Sequence, residues 1–332
     1  MSTILNIGLF GVGHLGKIHL RCLLELKTVY NIVGFFDPSD QNAAEVVEKY
    51  GIRRFLNEDE LIAAVDLIDI VTPTSTHFQI ALKAIASGKH IFVEKPITST
   101  PEEAQILLKA AQKMGIKGQV GFVERFNPAF LALANEPIKP MFIEAHRLSV
   151  YNPRGTDVSV VLDLMIHDLD ILLKLVNDKV KSVSANGIAI VSKTEDIANA
   201  RIEFENGAVA NITASRISLK NMRKFRLFQE DAYISLDFLE KKTEIVRLYD
   251  TPDPENENLM ELDTMNGKKY LELYMPETSA VNAIKSELQL FADSIVNNTE
   301  PTVALYDGVI ALELAYQILN EIAKGPKKGS TL

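Results

Sequence analysis

Apolar and polar positions alternate with two different rhythms along this chain, and the change of rhythm divides it. Through the first 120 or so residues short apolar runs trade with amphipathic segments. Ile4–Phe10, Ile32–Phe36, Leu67–Val71, His90–Val93 and Val120–Val123 read as strands, with helices over Leu15–Leu26, Ala43–Tyr50, Phe78–Ser87 and Pro101–Met114. The last of these starts with proline and carries Glu102 and Glu103 in its first turn, as helix starts prefer. A strand–helix alternation of this kind predicts an α/β, doubly wound parallel sheet.

From Met141 onward period-two strands dominate: Phe142–Val150, Val180–Val191, Asn199–Glu205, Ala208–Ser218, Lys224–Gln229, Tyr233–Phe238 and Thr243–Tyr249. Asn206-Gly207 is a two-residue hairpin signal between two of them. One strongly apolar helix over Ser159–Val176 interrupts the strands, and a helix over Asp307–Ala323 closes the chain. The acidic, Pro- and Asn-rich stretch 250–268 reads as an exposed loop, and 325–332 as a frayed tail. The expected organisation is a Rossmann domain over 1–122 and an α+β domain with a large, mainly antiparallel sheet over 123–332.

Composition narrows the function classes. With 47% hydrophobic and 24% charged residues the 332-residue chain is ordinary globular material. A formal net charge of −9 argues against a general nucleic-acid binder, which needs clustered Lys and Arg against phosphate. The single cysteine, Cys22, sits in an apolar helix pattern and reads as a buried structural thiol. No basic-then-apolar leader opens the chain and no apolar stretch has spanning length, so a cytoplasmic protein with no membrane partner is expected.

Gly11-Val12-Gly13-His14-Leu15-Gly16 fits G-x-G-x-x-G in its telling context, after a strand and opening a helix. The first glycine permits the tight turn, the second lets backbone approach a pyrophosphate, and the third allows close helix–strand packing. The helix N-terminus adds N–H donors and positive dipole. Asp37 ends the second strand, 21 residues after Gly16. A carboxylate there can bond an adenosine ribose 2′-hydroxyl and repels a 2′-phosphate, and Pro38-Ser39-Asp40 offers no arginine in its place. NAD is therefore favoured over NADP.

Two further motifs carry chemistry. Glu94-Lys95-Pro96 lies just past a strand of the parallel sheet, where open α/β sheets bind ligands. On the apolar helix, Asp163, His167 and Asp170 fall within roughly 60° of one another at helical spacing. Titratable groups on one stripe of an apolar helix are costly to bury unless paired or used. A histidine with carboxylates a turn away on each side suits a general acid/base, and a satisfied structural cluster is the alternative. No ligand set with metal spacing accompanies it, so no metal is expected.

Taken together, the glycine loop, Thr72-Pro73-Thr74 with His77, Gly88-Lys89-His90 leading into Glu94-Lys95-Pro96, and the Asp163/His167 helix resemble the glucose–fructose oxidoreductase / inositol dehydrogenase / MocA family, in order and spacing along nearly the whole chain. The resemblance implies an NAD-dependent dehydrogenase with a Rossmann domain and an open-faced sheet domain that mediates homodimers or homotetramers. It implies that Gly11–Gly16, Asp37, Thr72, Pro73, Thr74, His77 and Glu94 line the cofactor. Lys95 would sit by the nicotinamide and reacting carbon, with Lys95-Pro96 a cis peptide. His167 would exchange the hydroxyl proton, and Asp163 would orient it or the sugar. Ser159-Val160-Val161 stands where many members have a Gly-Gly pair, which weakens transfer of any one member's substrate.

The stretches around Glu124-Arg125-Phe126-Asn127 and Asp163–Asp168 look closest to the members that oxidise UDP-N-acetylglucosamine at its 3-hydroxyl. In those enzymes the keto-sugar passes to an aminotransferase that feeds surface-glycan or lipid A synthesis. Arg125, Lys95, Asp163 and His167 are then substrate-side residues. Arg147, Tyr151 and Arg154 are read as lying in a loop before the site helix, the arginines for a diphosphate and Tyr151 for a ring. The competing expectations are a dehydrogenase of a free monosaccharide or cyclitol, which needs no arginine anchor, and a non-catalytic NAD(P)-sensing regulator, which needs no Lys95/His167 pair.

Overall fold

A computed structural model describes residues 4–152, 158–253, 256, 258–265, 267–278 and 281–325. They form two compact units, one from residues up to 126 together with 281–313, the other from 127–280 together with the chain from 314.

The first unit is a five-stranded, all-parallel sheet. Its elements run β1 (Leu5–Phe10), α1 (His14–Glu25), β2 (Tyr30–Phe36), α2 (Asp40–Tyr50), α3 (Glu58–Ala63), β3 (Leu67–Ile70), α4 (Thr74–Ala86), β4 (His90–Glu94), α5 (Pro101–Met114) and β5 (Gly118–Gly121). Strand order is β2-β1-β3-β4-β5. The chain leaves β1 to one side for β2 and returns on the other side as β3, so the switch point lies between β1 and β3. β3 and β5 are buried at every residue, as strands covered on both faces must be. Local chemistry sets the helix ends. Ser39 and Asn57 cap α2 and α3, Thr100 and Glu103 form a capping box on α5, and Gly51 and Gly115 close α2 and α5 in the left-handed conformation.

The second unit begins with α6 (Pro128–Leu131) and β6 (Phe142–Leu148), then a π-turn over Val161–Met165 that continues as α7 (Ile166–Val176). Its other strands are β7 (Val180–Ile188), β8 (Ile197–Phe204), β9 (Val209–Ser215), β10 (Met222–Phe228), β11 (Ala232–Asp237), β12 (Lys242–Tyr249), β13 (Met260–Thr264) and β14 (Gly267–Tyr274). All pair in one nine-stranded sheet, order β13-β14-β12-β11-β10-β6-β9-β8-β7, antiparallel except for β6 with β9. Asn206-Gly207 turns β8 into β9, with Gly207 at φ +88, as expected. One sheet face is a core of Ile143, Ala145, Ile202, Ile212, Phe225 and Ile234 against Leu169 and Leu172 of α7. On the other face the register sets Phe142, Phe228, Tyr233, Val246 and Leu273 in one row across five strands.

Two helices complete the chain. α8 (Ala283–Val296) packs Leu288, Phe291 and Ala292 into the core of the first unit, and α9 (Leu305–Lys324) runs from one unit's residues into the other's. Residues 281–313, grouped with the second domain in the sequence reading, thus pack with the first. Leu288, Phe291 and Ala292 follow helical spacing, which announces a helix but not the unit it packs with. The stretch 250–268 also departs from the expected loop. Met260–Thr264 pairs with β14 as an exposed edge hairpin, every residue of β13 being solvent-facing, although Met260 and Leu262 alternate with Glu261 and Asp263. Residues 326–332 of the expected tail lie outside the described residues.

Arg147 departs from expectation too: it lies in β6, not in a loop. It is buried, and its Nε and Nη2 donate to the Asp168 carboxylate at 2.9 and 2.8 Å. Asp168, on the first turn of α7, is buried with it. Removing one partner strands the other's charge, whereas removing both does not. Arg147→Met should therefore destabilise the second unit by about 3–5 kcal/mol in urea unfolding, and Arg147→Met with Asp168→Leu should recover most of that loss.

Candidate active site

The glycine loop joins β1 to α1 at the carboxyl end of the sheet. Gly11 has φ +90, a conformation only glycine adopts without strain. A Cβ on Gly16 would lie 2.1 Å from the Gly11 carbonyl oxygen, whereas one on Gly13 would meet nothing within 4 Å. The third glycine is thus fixed by packing, and the second faces open space. Helix α1 has no side-chain cap and no acidic residue in its first turn, in contrast to α2, α3 and α5. Its first N–H groups and positive end are left to an anion. Helix α4, beginning beside it after β3, is likewise uncapped and free of acid in its first turn. These are the features a dinucleotide's pyrophosphate requires, and the residues fit it.

Asp37 is buried at the end of β2. Its Oδ2 accepts the Val12 N–H at 2.8 Å and its Oδ1 the Ser39 N–H at 2.8 Å, so the carboxylate is fixed against the glycine loop. The structure also brings up Arg54, which the sequence reading missed for lack of a local signal. Its Nη2 donates to the Asp37 carbonyl and its Nη1 to the Asp40 carboxylate.

Across the sheet, His77 ties the two other expected cofactor segments together. Its Nδ1 lies 2.9 Å from the Pro96 carbonyl oxygen and its Nε2 2.8 Å from that of Thr72. Burial pushes its pKa below the ordinary value, against the pull of those carbonyls. Thr76 Oγ1 bonds Thr72 Oγ1 and the Pro73 carbonyl, which holds Thr72-Pro73-Thr74 at the end of β3. The Lys95–Pro96 bond is cis, as the resemblance implies. Lys95 is half-buried, and its N–H donates to Glu94 Oε2 at 3.2 Å. Glu94 Oε1 in turn lies 3.2 Å from Nε2 of the buried His19, which in the sequence looks like no more than one position of an amphipathic helix. His14 is exposed and Leu15 half-buried at the loop. Arg125 is buried in a 3-10 turn over Val123–Phe126 and reaches Asp307 at 3.5 Å.

In the second unit Asp163 lies in the π-turn and His167 at the start of α7, both half-buried. The wide turn is marked by the Ile166 N–H reaching back five residues to Val161 O. Asp170 is buried where Asp163 and His167 are half-buried, so the three residues of the expected stripe do not share one exposure. Tyr151 is exposed just beyond β6. Arg154 lies outside the described residues.

Two family models match the chain. Residues 5–122 match an oxidoreductase family with an NAD-binding Rossmann fold, and residues 110–235 match the GFO/IDH/MocA C-terminal domain. A UDP-N-acetylglucosamine 3-dehydrogenase from Acidithiobacillus ferrooxidans is 40% identical over 236 residues, 71% of this chain and 74% of that relative. The chain belongs to the GFO/IDH/MocA oxidoreductase family. Residues 5–122 of its first unit are the family's NAD-binding domain, and its relatives include dehydrogenases of a nucleotide sugar and of inositols. Another member, the scyllo-inositol 2-dehydrogenase (NAD(+)) of Bacillus subtilis, is 30% identical over 66% of this chain and 69% of its own. The solved structure of UDP-N-acetylglucosamine 3-dehydrogenase GnnA from A. ferrooxidans superposes with a TM-score of 0.86 at 33% identity, covering 96% of this chain and 98% of that one. No helix among the described residues is long and apolar enough to cross a membrane.

The fixed Asp37 carboxylate makes cofactor choice testable in this family member. Asp37→Ser should weaken NAD binding about tenfold, roughly 1.4 kcal/mol, and tighten NADP, with Arg54 at hand for the added phosphate. Fluorescence titration of both cofactors reads the change in ratio.

Proposed function

We propose that the chain oxidises the 3-hydroxyl of UDP-N-acetylglucosamine with NAD, reversibly. The observation that carries this reading is the 40% identity to a UDP-N-acetylglucosamine 3-dehydrogenase, joined to the presence here of Lys95, Asp163 and His167. Bound NAD supplies the hydride acceptor. His167 takes the proton of the reacting hydroxyl, and Asp163 orients the imidazole or the sugar. Lys95 steadies the negative charge that grows on the oxygen as the hydride leaves. Tyr151 packs on a ring of the substrate, and Arg125 serves binding by holding the turn that follows β5. The keto-sugar is then a substrate for an aminotransferase in surface-glycan or lipid A synthesis, in the cytoplasm.

One observation favours a second reading. Arg147, expected to anchor a diphosphate, is spent on buried Asp168, which removes one of two arginines that set a nucleotide sugar apart from a free one. A cyclitol or monosaccharide needs neither. Reduced-nicotinamide absorbance decides between them, with NAD, UDP-N-acetylglucosamine and an aminotransferase with its amino donor to draw off ketone. Turnover of the nucleotide sugar supports the proposal, and turnover of inositol or a free sugar alone overturns it. In the active assay His167→Ala should lower kcat about 10²–10⁴-fold and Lys95→Met about 10²–10³-fold. Full cellular function in the double variant would favour the regulator instead.

We propose further that the sheet of the second unit forms a homodimer or homotetramer interface. The row Phe142–Phe228–Tyr233–Val246–Leu273 supports this, since Phe228 is 37% and Leu273 53% exposed in the single chain. Tyr233→Asp with Leu273→Asp should shift the sedimentation mass towards the monomer. An unchanged mass would put the interface elsewhere.

A further inference from the structure

Beneath the carboxyl end of β4 lies a group of titratable side chains that the proposed reaction leaves unused. His19 comes from α1, Asp69 from β3, Glu94 from β4 and Glu287 from α8. Asp69, His19 and Glu287 are fully buried, and Glu94 nearly so. Asp69 Oδ2 lies 3.0 Å from His19 Nδ1, and Glu94 Oε1 lies 3.2 Å from His19 Nε2. One ligand-type atom each of His19, Glu94 and Glu287 falls within 4.8 Å of the others. Cys22 of α1, Tyr30 of β2 and Gln119 of β5 border the group. The Gln119 amide donates to the Glu287 carbonyl, and the Tyr30 hydroxyl to that of Leu288.

A neutral imidazole has one N–H and would set a lone pair against one of the two carboxylates flanking His19. With Nδ1 hydrogen-bonded to Asp69 and Nε2, which makes no aligned hydrogen bond, 3.2 Å from Glu94, the two flanking carboxylates favour the cation. Glu287 has no such partner. Among the described residues neither of its oxygens finds a hydrogen bond, and the His19 cation beside it is already shared between two carboxylates. A third buried carboxylate would be an uncompensated charge, so Glu287 keeps its proton. Burial pushes the Glu287 carboxyl well above the ordinary range, with Glu94 adding to it. Although burial opposes the charged form of His19, Asp69 and Glu94 together hold it well above its ordinary value.

The consequence reaches the site through Glu94. Its second oxygen accepts the Lys95 N–H, and Gly121, opposite it in β5, leaves the room it occupies, because a Cβ there would lie 2.6 Å from Glu94 Oε1. We propose that His19 is a positioning residue, an imidazolium that fixes Glu94 and through it the start of the Lys95 turn, and that the cluster leaves one net negative charge under the nicotinamide, favouring the oxidised cationic ring over the reduced one. This rests on the reading that places Lys95 and the nicotinamide at the end of β4.

Three measurements on the full chain test it. Side-chain nitrogen NMR should show both ring N–H groups of His19 at pH 8, and a neutral imidazole there overturns the proposal. Glu94→Gln, an isosteric change, should weaken NAD relative to NADH about fivefold or more, as loss of a nearby unit charge requires. Glu287→Gln should leave that ratio within about twofold, since it replaces one uncharged group by another. It should also raise Tm at pH 8 by about 2–4 °C. A carboxyl whose folded pKa is raised loses stability as pH climbs above its unfolded value near 4.5, so the gain should vanish at pH 4. An unmoved ratio in Glu94→Gln, a fivefold shift in Glu287→Gln, or one tightly held divalent ion per chain overturns the inference. Should the wild-type chain bind neither NAD nor NADH, the cofactor reading itself falls, whereas binding with an unmoved ratio sinks this inference alone.

Discussion

Helix α1 can begin where it does only because residue 16 carries no side chain, since a Cβ would stand 2.1 Å from the Gly11 carbonyl oxygen. That close approach aims the uncapped first turn of α1 along the switch point of the sheet, where a pyrophosphate binds. It also fixes the depth of the residue three further along the same helix. Residue 19 is carried to Asp69 on β3 and Glu94 on β4, and Glu94 holds the amide of Lys95. One steric requirement at the glycine loop therefore sets both the phosphate end and the lysine end of the cleft. Asp37 closes the same loop from β2 by taking the Val12 N–H.

Much of this was legible in the sequence, and for identifiable reasons. The strands of the parallel sheet are mostly apolar runs, broken by single polar residues such as Asp69 and Gln119, and the helix ends carry their caps in the chain, as Thr100 and Glu103 show. The cofactor segments are local motifs, each a handful of residues long. What escaped was either non-local or irregular. Glu287 joins the first unit from α8, across 193 residues of chain from Glu94, and no periodicity announces such a pairing. Arg54 approaches Asp37 from 17 residues away, and the short Met260/Leu262 alternation of β13 lies inside an acidic, Pro- and Asn-rich stretch that reads as loop.

The π-turn shows where regular spacing misleads. At helical period Asp163, His167 and Asp170 share a stripe; the turn over Val161–Met165 takes up an extra residue before His167, and Asp170 is buried where the other two are half-buried. Asp163 and His167 are both half-buried. A local departure from α geometry is costly in hydrogen bonding, and departures of this kind gather at functional sites. Asp163 and His167 are the pair on which the chemical reading depends, and they sit where the helix is irregular.

Both units bury an ion pair beside a residue of the proposed reaction, and stability is a poor explanation for either. Taking charges out of water costs several kcal/mol per ion, and a well-packed apolar pair of the same volume is commonly as stable or more so. What an ion pair supplies that a leucine does not is direction. The fork of Arg147 meets the Asp168 carboxylate with two parallel bonds and so sets the rotation of the first turn of α7. His167, one residue earlier, must then face about 100° away, towards the side that α7 does not bury. In the first unit the His19–Glu94 pair fixes the carboxylate on which the Lys95 amide rests. In each case a buried charge holds the backbone of the neighbouring residue to one orientation, and a side chain oriented in advance need not reorganise before it acts, which is what the roles proposed for Lys95 and His167 ask of each.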